Sequence, residues 1–146
     1  MIMKRFLIVL TCVLGTMSLA KADDRPVTVD QLPQAARTFL NVNFPDDKIS
    51  FATKDDDLIR PDYQVVLASG VMVKFNNAGN LEEIESRGRE IPDGIIPIQI
   101  VEMVKGHYPD VMITGYEVGR RTYEVKLSNR IELKLDRNFN VIEIDD

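Results

Sequence analysis

The sequence predicts an α+β fold in which a unit of one helix and four antiparallel strands occurs twice. Residues 32–85 and 96–144 carry the same succession of residue types, offset by 64 positions and then by 60 after a four-residue contraction in one loop. Each copy opens with a helical apolar pattern and continues with segments in which apolar and polar residues alternate. One curved antiparallel sheet of about eight strands, with both helices packed on one face, would bury every apolar stripe. The competing arrangement is two smaller sheets that meet edge to edge or face to face.

The first 22 residues have the features of a secretory signal peptide. Lys4 and Arg5 supply a positive start, residues 6–19 form an apolar run too short to span a bilayer comfortably, and Ala20-Lys21-Ala22 has the small-x-small pattern of a cleavage site. We therefore expect residues 1–22 to be removed on export to the periplasm or the exterior. The remaining chain, residues 23–146, is expected to form a single domain.

Cleavage would change both the charge and the cysteine content of the chain. It removes Lys4, Arg5 and Lys21, so the net charge falls from −5 to −8, and it removes the single cysteine, Cys12. The core must then be stable without disulfides. Nucleic acids and anionic membranes are poor partners for so acidic a chain, because binding to them rests on Lys and Arg. No later segment is apolar enough to enter a membrane.

Each copy begins with a short amphipathic helix. Its apolar residues follow an i, i+4, i+7, i+8, i+12 series, which forms one helical face. Pro33 and Pro97 suit the first turn, and Pro45 and Pro109 force the helices to stop. The apolar series comprises Leu32, Ala36, Phe39, Leu40 and Phe44 in the first copy and Ile96, Ile100, Met103, Val104 and Tyr108 in the second.

Four strands are predicted after each helix, because apolar and polar residues alternate there with a period of two. Pairing apolar with apolar places Leu67 opposite Val71, which leaves three-residue hairpin loops that end at Gly70 and, in the second copy, at Arg130. Gly70 suits the left-handed conformation of such a loop, whereas Arg130 should be strained. The predicted strands are 49–53, 63–67, 71–75 and 81–85, then 112–116, 123–127, 131–135 and 141–144.

The order of these motifs resembles that of a known family. A Leu-Pro or Ile-Pro helix ends at Phe-Pro-Asp or Tyr-Pro-Asp, and Tyr-x-Val-x-Leu, a tight turn, Val-x-Val-Lys-Phe and an Asn-rich turn follow. The pattern resembles the PepSY-like family of periplasmic proteins, also described as similar to beta-lactamase-inhibitor proteins. The resemblance covers about residues 27–146 and implies two repeats, about 27–86 and 91–146. The resemblance implies no settled function: relatives of the fold bind or inhibit proteins, including peptidases and beta-lactamases, but this chain has no matching motif from which to assign inhibitory residues.

Catalytic chemistry finds little support in the sequence. His107, the single histidine, lies near the end of the second helix, where it complements the helix dipole. No nucleophile stands in a recognisable context, and glycine-rich phosphate loops are absent. We therefore expect a protein that is not an enzyme and that uses no cofactor.

The evidence for a metal site is also weak. Asp136-x-Asn138-x-Asn140 begins like a calcium loop, but Val141 stands where the loop needs glycine, so we interpret the segment as a hairpin turn. A run of like charges in the predicted 54–62 loop is the other candidate: such runs are usually solvated, but together with Asp46 and Asp47 this one could hold a cation weakly. Its residues are Asp55, Asp56 and Asp57.

The two copies differ on the outer face of the predicted sheet. The second copy carries Glu124, Lys126, Glu132 and Lys134 there, whereas the first carries Gln64, Val66, Met72 and Lys74. Val66 and Met72 should face each other across a hairpin, and an apolar pair on a solvated face is a candidate contact site. Alternatively, the linker, residues 23–31 or the other copy covers it. Arg60 and Asp62, from the loop whose length differs between copies, complete the candidate site.

These observations favour a non-catalytic binding module of the periplasm. Its expected partner is another protein of the cell envelope, for instance an enzyme that it restrains. The alternative is binding of a small ligand or a cation in the trough of the curved sheet. Edge strands could pair between molecules, so we expect a monomer or a weak dimer.

Overall fold

Two helices and nine strands make up the fold of the residues that the structure describes. The computed structural model describes residues 24–56 and 61–146; the predicted signal peptide, Asp57 and Arg60 lie outside these ranges. The elements are β1 (Asp24–Val27), a 3-10 turn (Val29–Gln31), α1 (Gln34–Asn43), β2 (Ile49–Asp55), β3 (Asp62–Leu67), β4 (Met72–Asn76), β5 (Leu81–Glu85), α2 (Ile98–His107), β6 (Ile113–Val118), β7 (Thr122–Leu127), β8 (Glu132–Asp136) and β9 (Val141–Asp145).

All nine strands form one open antiparallel sheet, in which spatial order follows chain order from β1 to β9. The pairing of β5 with β6 joins the two halves, with Ile84 opposite Tyr116. The expected number of about eight strands is too low, because β1 adds a ninth beside β2. The four residues of β1 are too few to show an alternating pattern. Their extended conformation depends on pairing with β2, which is about 28 residues away in sequence.

Proline delimits both helices, as predicted. Pro33 and Pro97 stand immediately before α1 and α2. At the other ends the backbone N–H of Phe44 donates to the carbonyl of Leu40 at 2.8 Å, and Tyr108 repeats this contact in α2. The following proline then prevents a further helical turn.

One buried cluster contains residues from both helices and from one face of the sheet. Phe75 of β4 is fully buried, and Phe39 of α1 packs edge-on against it with ring centroids 5.4 Å apart. Burying a side chain of this size stabilises the fold by about 2–3 kcal/mol. Ile100 and Val104 of α2 belong to the same cluster. The opposite face of the sheet, called the open face below, carries the alternate residues of each strand.

The predicted hairpin register is confirmed. Val66 lies opposite Met72, and the Leu67 N–H donates to the Val71 carbonyl at 2.9 Å. Gly70 has φ +94°, and Arg130 adopts the same left-handed region with φ +73°. The strain expected at Arg130 is therefore present in the backbone.

Candidate functional site

Two rows of cross-strand neighbours run across the open face of the sheet. Residues paired in register point to the same side, so each row forms a continuous line of side chains. The first row is Phe51, Val66, Met72, Glu85, Gly115, Lys126, Glu132 and Asp145, from β2 to β9. The second row is Thr53, Gln64, Lys74, Glu83, Glu117, Glu124, Lys134 and Glu143.

The first row begins with three apolar residues, Phe51, Val66 and Met72, which we call the apolar patch. Val66 and Met72 are half-buried, and 52% of Phe51 is exposed. Sequence reasoning missed Phe51, because a bulge between Ile49 and Phe51 changes the register with β3 and places Phe51 opposite Val66. The sequence did hold one signal: if Ala52 is assigned to the buried face, the alternation along the strand places its neighbour Phe51 on the opposite face.

The N-terminal segment does not lie across the apolar patch. Residues Asp24–Val27 form β1 at the edge of the sheet, where Pro26 pairs with Thr53 in the sheet plane. The prediction that the N-terminal segment could cover Val66 and Met72 is therefore wrong for Asp24–Val27, because these residues pair with the edge of β2 instead.

The other predicted site residues lie beside the apolar patch along β3 and β4. Gln64 is opposite Lys74, whose Nζ is 3.7 Å from Glu83 Oε2. Asp62 begins β3 and faces Asn76 on one side and Asp55 on the other. The structure thus brings together five of the six predicted binding residues on one face, and the sixth, Arg60, lies outside the described ranges.

The acidic run does not form a loop site in the described part of the chain. Asp55 belongs to β2, so the strand is two residues longer than predicted. Asp56 Oδ2 lies 2.6 Å from Arg25 Nε and is therefore neutralised by an ion pair. Within residues 24–56 and 61–146, no group of three or more His, Cys, Asp or Glu side chains is arranged to hold a metal ion.

Further along both rows lies a pocket of about 160 Å³, which we call the acidic pocket. Lys126 Nζ contacts Glu85 Oε1 at 2.5 Å, and Lys134 Nζ lies 3.3 Å from Glu124 and 3.4 Å from Glu143. These two ammonium groups face a larger number of carboxyl groups. The acidic side chains that line the pocket are Glu83, Glu85, Glu117, Glu124, Glu132, Glu143 and Asp145.

The surplus of acid changes the titration of the pocket. Partial burial raises the pKa of Glu117, and a hydrogen bond to Glu124 and the charge of Glu83 raise this pKa further, while Lys126 opposes them. The hydrogen bond to Glu85 raises the pKa of Lys126. The arrangement therefore favours positive charge, either a bound proton or a cationic group of a ligand.

The side chains that the sequence offered as candidates for metal binding or catalysis, Asp136 and His107, make hydrogen-bond contacts with the backbone. The Asp136 carboxylate accepts backbone N–H groups of Asn138 at 2.9 Å and Asn140 at 3.0 Å, which closes a hairpin turn and lowers the pKa of Asp136. His107 is exposed, with Nδ1 3.0 Å from the Met103 carbonyl. Burial raises the pKa of Tyr116 to about 12, so its phenol stays neutral.

A family model assigns this chain, with its open antiparallel sheet and two helices, to a known class of proteins. The family model described as "Putative beta-lactamase-inhibitor-like, PepSY-like" matches residues 61–143. The chain belongs to this family, as its motifs predicted. No curated protein matches the chain.

Three solved structures resemble the whole fold. A Bacteroides thetaiotaomicron protein described as a "putative calcium-regulated periplasmic protein" is 39% identical, with a TM-score of 0.84, over 87% of this chain and 100% of that one. A Bacteroides vulgatus protein of the DUF2874 family, described as a "putative periplasmic protein", is 37% identical, with a TM-score of 0.83 and the same coverage. A second Bacteroides vulgatus protein, described as a "putative periplasmic protein of unknown function", is 29% identical, with a TM-score of 0.80, over 84% of this chain and 99% of that one.

These relatives confirm the predicted periplasmic location. Their descriptions and that of the family assign no catalytic activity. Among the described residues, neither ten-residue helix is long and apolar enough to cross a membrane.

Proposed function

We propose that this protein is a non-catalytic binding module of the periplasm and that the open face of the sheet is its contact surface. The observation that carries the proposal is the apolar patch, where Phe51, Val66 and Met72 adjoin on a face whose other side chains are mostly polar and charged. A partly exposed apolar cluster bordered by polar groups is typical of a protein contact site, because association removes its apolar surface from water.

The acidic pocket specifies the charge of the partner. It continues the same two rows from β5 to β9, so a partner seated on the apolar patch would also meet Glu83, Glu85 and Glu117. Lys or Arg side chains around an apolar contact would complement this surface and accelerate association at low salt. We expect a basic envelope protein, for instance an enzyme that this chain restrains, bound by a monomer or a weak dimer.

The division of the open face supports a further part of the proposal. The helix and four strands occur twice in the element order, and the apolar patch lies in the first set while most of the acidic pocket lies in the second. We propose that the two sets arose by tandem duplication and then acquired different surface chemistry. Such divergence is expected where a repeated scaffold keeps its core and changes its exposed residues.

Photo-cross-linking in the periplasm tests the contact surface. A photoreactive phenylalanine analogue at Phe51 should form a defined adduct with one envelope protein. The matched control carries the analogue at Val42, which is 72% exposed on α1, away from the open face. An adduct of the same mass from position 42, or none from position 51, would contradict the proposed surface.

A second candidate function is cation binding in the acidic pocket. The Bacteroides thetaiotaomicron relative is described as calcium-regulated, and Glu83, Glu117 and Glu124 are consecutive in the second row here. Carboxylate oxygens are the ligands that calcium prefers, although these side chains would have to rotate to surround an ion. Calcium alone should then raise the melting temperature, and Glu117→Gln should remove that rise. An unchanged melting temperature at millimolar calcium would exclude this function.

A further inference from the structure

The two edges of the sheet differ in how they resist pairing with another strand. Strand β1, at one edge, contains Pro26, which has no backbone N–H to offer, and Arg25, whose charge resists burial. Strand β9, at the other edge, contains neither proline nor a basic residue. Among the described strands it is paired only with β8. Alternate backbone groups of an edge strand point away from the sheet, so β9 presents a row of donors and acceptors.

The side chains of β9 add a specific chemistry to this edge. Val141, Ile142 and Ile144 are 39%, 55% and 62% exposed, although the strand is hydrogen-bonded to a buried neighbour. Ile144 pairs with the buried Leu133, so its side chain lies on the helix side of the sheet. Glu143 and Asp145 lie on the open face, at the ends of the second and first rows.

The charge order of the two rows indicates what would pair with β9. The second row ends Glu124, Lys134, Glu143, and the first ends Lys126, Glu132, Asp145. Both rows therefore stop at a carboxylate, and a residue added beyond either would have an acidic neighbour. Opposite charges in directly facing positions stabilise a strand pair, and like charges destabilise it.

We propose that β9 is a docking edge for an extended basic segment of another protein, which adds to the sheet as a tenth strand. Its backbone would pair with β9, its apolar side chains would contact Ile144 and Val141 on the helix side, and its Lys or Arg side chains would face Glu143 and Asp145. The site lies five strand spacings, about 24 Å, from the apolar patch. The proposal is therefore independent of a partner bound at Phe51.

A second copy of this chain is a poor occupant of the same edge. Antiparallel pairing of two β9 strands would bring Glu143 and Asp145 of each close to the acidic residues of the other. The repulsion disfavours self-pairing and leaves the edge available to a basic strand. A dimer formed through β9 would overturn the proposal.

The test uses a capped seven-residue peptide in which valine alternates with lysine. Two control peptides are compared with it: one has glutamate in place of every lysine, and the other has glycine in place of every valine. The lysine–valine peptide should bind, and amide hydrogen exchange within residues 141–145 should slow about tenfold or more, because exposed backbone groups become hydrogen-bonded. The glutamate–valine peptide should not bind, and the lysine–glycine peptide should bind at least several-fold more weakly. Binding that leaves exchange in β9 unchanged, or equal binding of the lysine and glutamate peptides, would overturn the proposal.

Variants of the protein provide a second arm. The double variant Glu143→Lys/Asp145→Lys should reverse the preference to the glutamate–valine peptide, with a change of about tenfold for each peptide. Ile144→Thr should weaken the binding of the lysine–valine peptide several-fold, while threonine keeps the β propensity of the strand. The matched control is Val42→Thr on α1, which removes similar exposed apolar area and should not change binding. An unaltered preference in the double variant would contradict strand addition at β9.

Discussion

Glu117 and Glu124 lie directly opposite each other on β6 and β7, and the carboxyl group of Glu124 raises the pKa of Glu117. Glu83 is the next neighbour of Glu117 in the same row, so three acids are consecutive on the open face. Partial burial is the largest cause of the raised pKa of Glu117, and the neighbouring Glu124 and Glu83 raise it further, because a proton on one carboxyl group relieves the repulsion between them. The acidic pocket therefore stores an unfavourable interaction that a cationic partner group would relieve.

The first prediction concerns the pH dependence of stability at Glu117. Because its folded-state pKa lies above the unfolded value, its protonated form stabilises the fold below pH ~4.3, and that contribution is lost as pH rises through the folded pKa. Glu117→Gln should raise the melting temperature by about 2 °C at pH 7, a small rise because solvent screens the repulsion between the carboxylates, and by less at pH 4. Thermal unfolding at both pH values measures this.

The control for this variant is Glu102→Gln on the exposed side of α2. It removes the same charge outside the acidic pocket and should leave the melting temperature nearly unchanged at both pH values. A lower melting temperature of Glu117→Gln at pH 7 would show that the ionised Glu117 is stabilising, contrary to this account.

The second prediction compares two adjacent residues of β4. Met72 lies half-buried on the open face and Val73 is fully buried on the helix side. Met72→Asp should abolish partner capture and lower the free energy of unfolding by less than about 1 kcal/mol. Val73→Asp should prevent folding, because it places an unpaired charge in the core. Circular dichroism and chemical denaturation distinguish the two, and a large loss of stability in Met72→Asp would assign Met72 to the core.

The third prediction concerns the turn between β4 and β5. Gly79 has φ +88°, and a Cβ there would lie 2.8 Å from Pro33 Cβ and 2.9 Å from the Ala36 backbone nitrogen. Gly79→Ala should therefore cost about 2–4 kcal/mol, by clash with the start of α1 as well as by backbone strain.

Gly94 separates these two causes. It has φ +94°, but a Cβ there would meet no atom within 4 Å. Gly94→Ala should cost about 1 kcal/mol, from backbone strain alone. Equal losses in urea denaturation of the two variants would mean that the contact between the turn and α1 is absent in solution.

The fourth prediction tests the strain at Arg130. Its φ of +73° is a conformation that glycine adopts more readily, as Gly70 does at the corresponding hairpin loop. Arg130→Gly should therefore raise the free energy of unfolding by about 0.5–1 kcal/mol. Arg130→Ala, which removes the same side chain without relieving the backbone, should give no such gain. A gain in both variants would assign the effect to the arginine side chain.

The residue pattern predicted the features that neighbouring residues determine, namely the register of β3 with β4 and the bounds of both helices. Alternation along β3 and β4 placed Val66 opposite Met72, because one apolar face can be buried in only one register. The prolines located both helices, since they restrict backbone angles directly.

Features that depend on distant pairing or on an irregularity were not predictable. Phe51 belongs to the apolar patch because a bulge in β2 changes its register with β3. Strand β1 forms because it pairs with β2. The acid row at Glu83 and Glu117 requires the two halves to join at β5 and β6. Each of these is decided by tertiary contacts that the residue pattern does not encode locally.

Thiol labelling at the apolar patch tests the proposed contact surface most directly. Cys12, the single cysteine of the chain, lies in the predicted signal peptide, so Phe51→Cys and Val42→Cys each give one defined thiol after cleavage. Both should react rapidly with a small maleimide in the purified protein, because both positions are exposed. In the periplasm of intact cells, we predict that labelling at position 51 slows about tenfold or more relative to position 42. Equal labelling of the two positions in cells would contradict a partner on the open face.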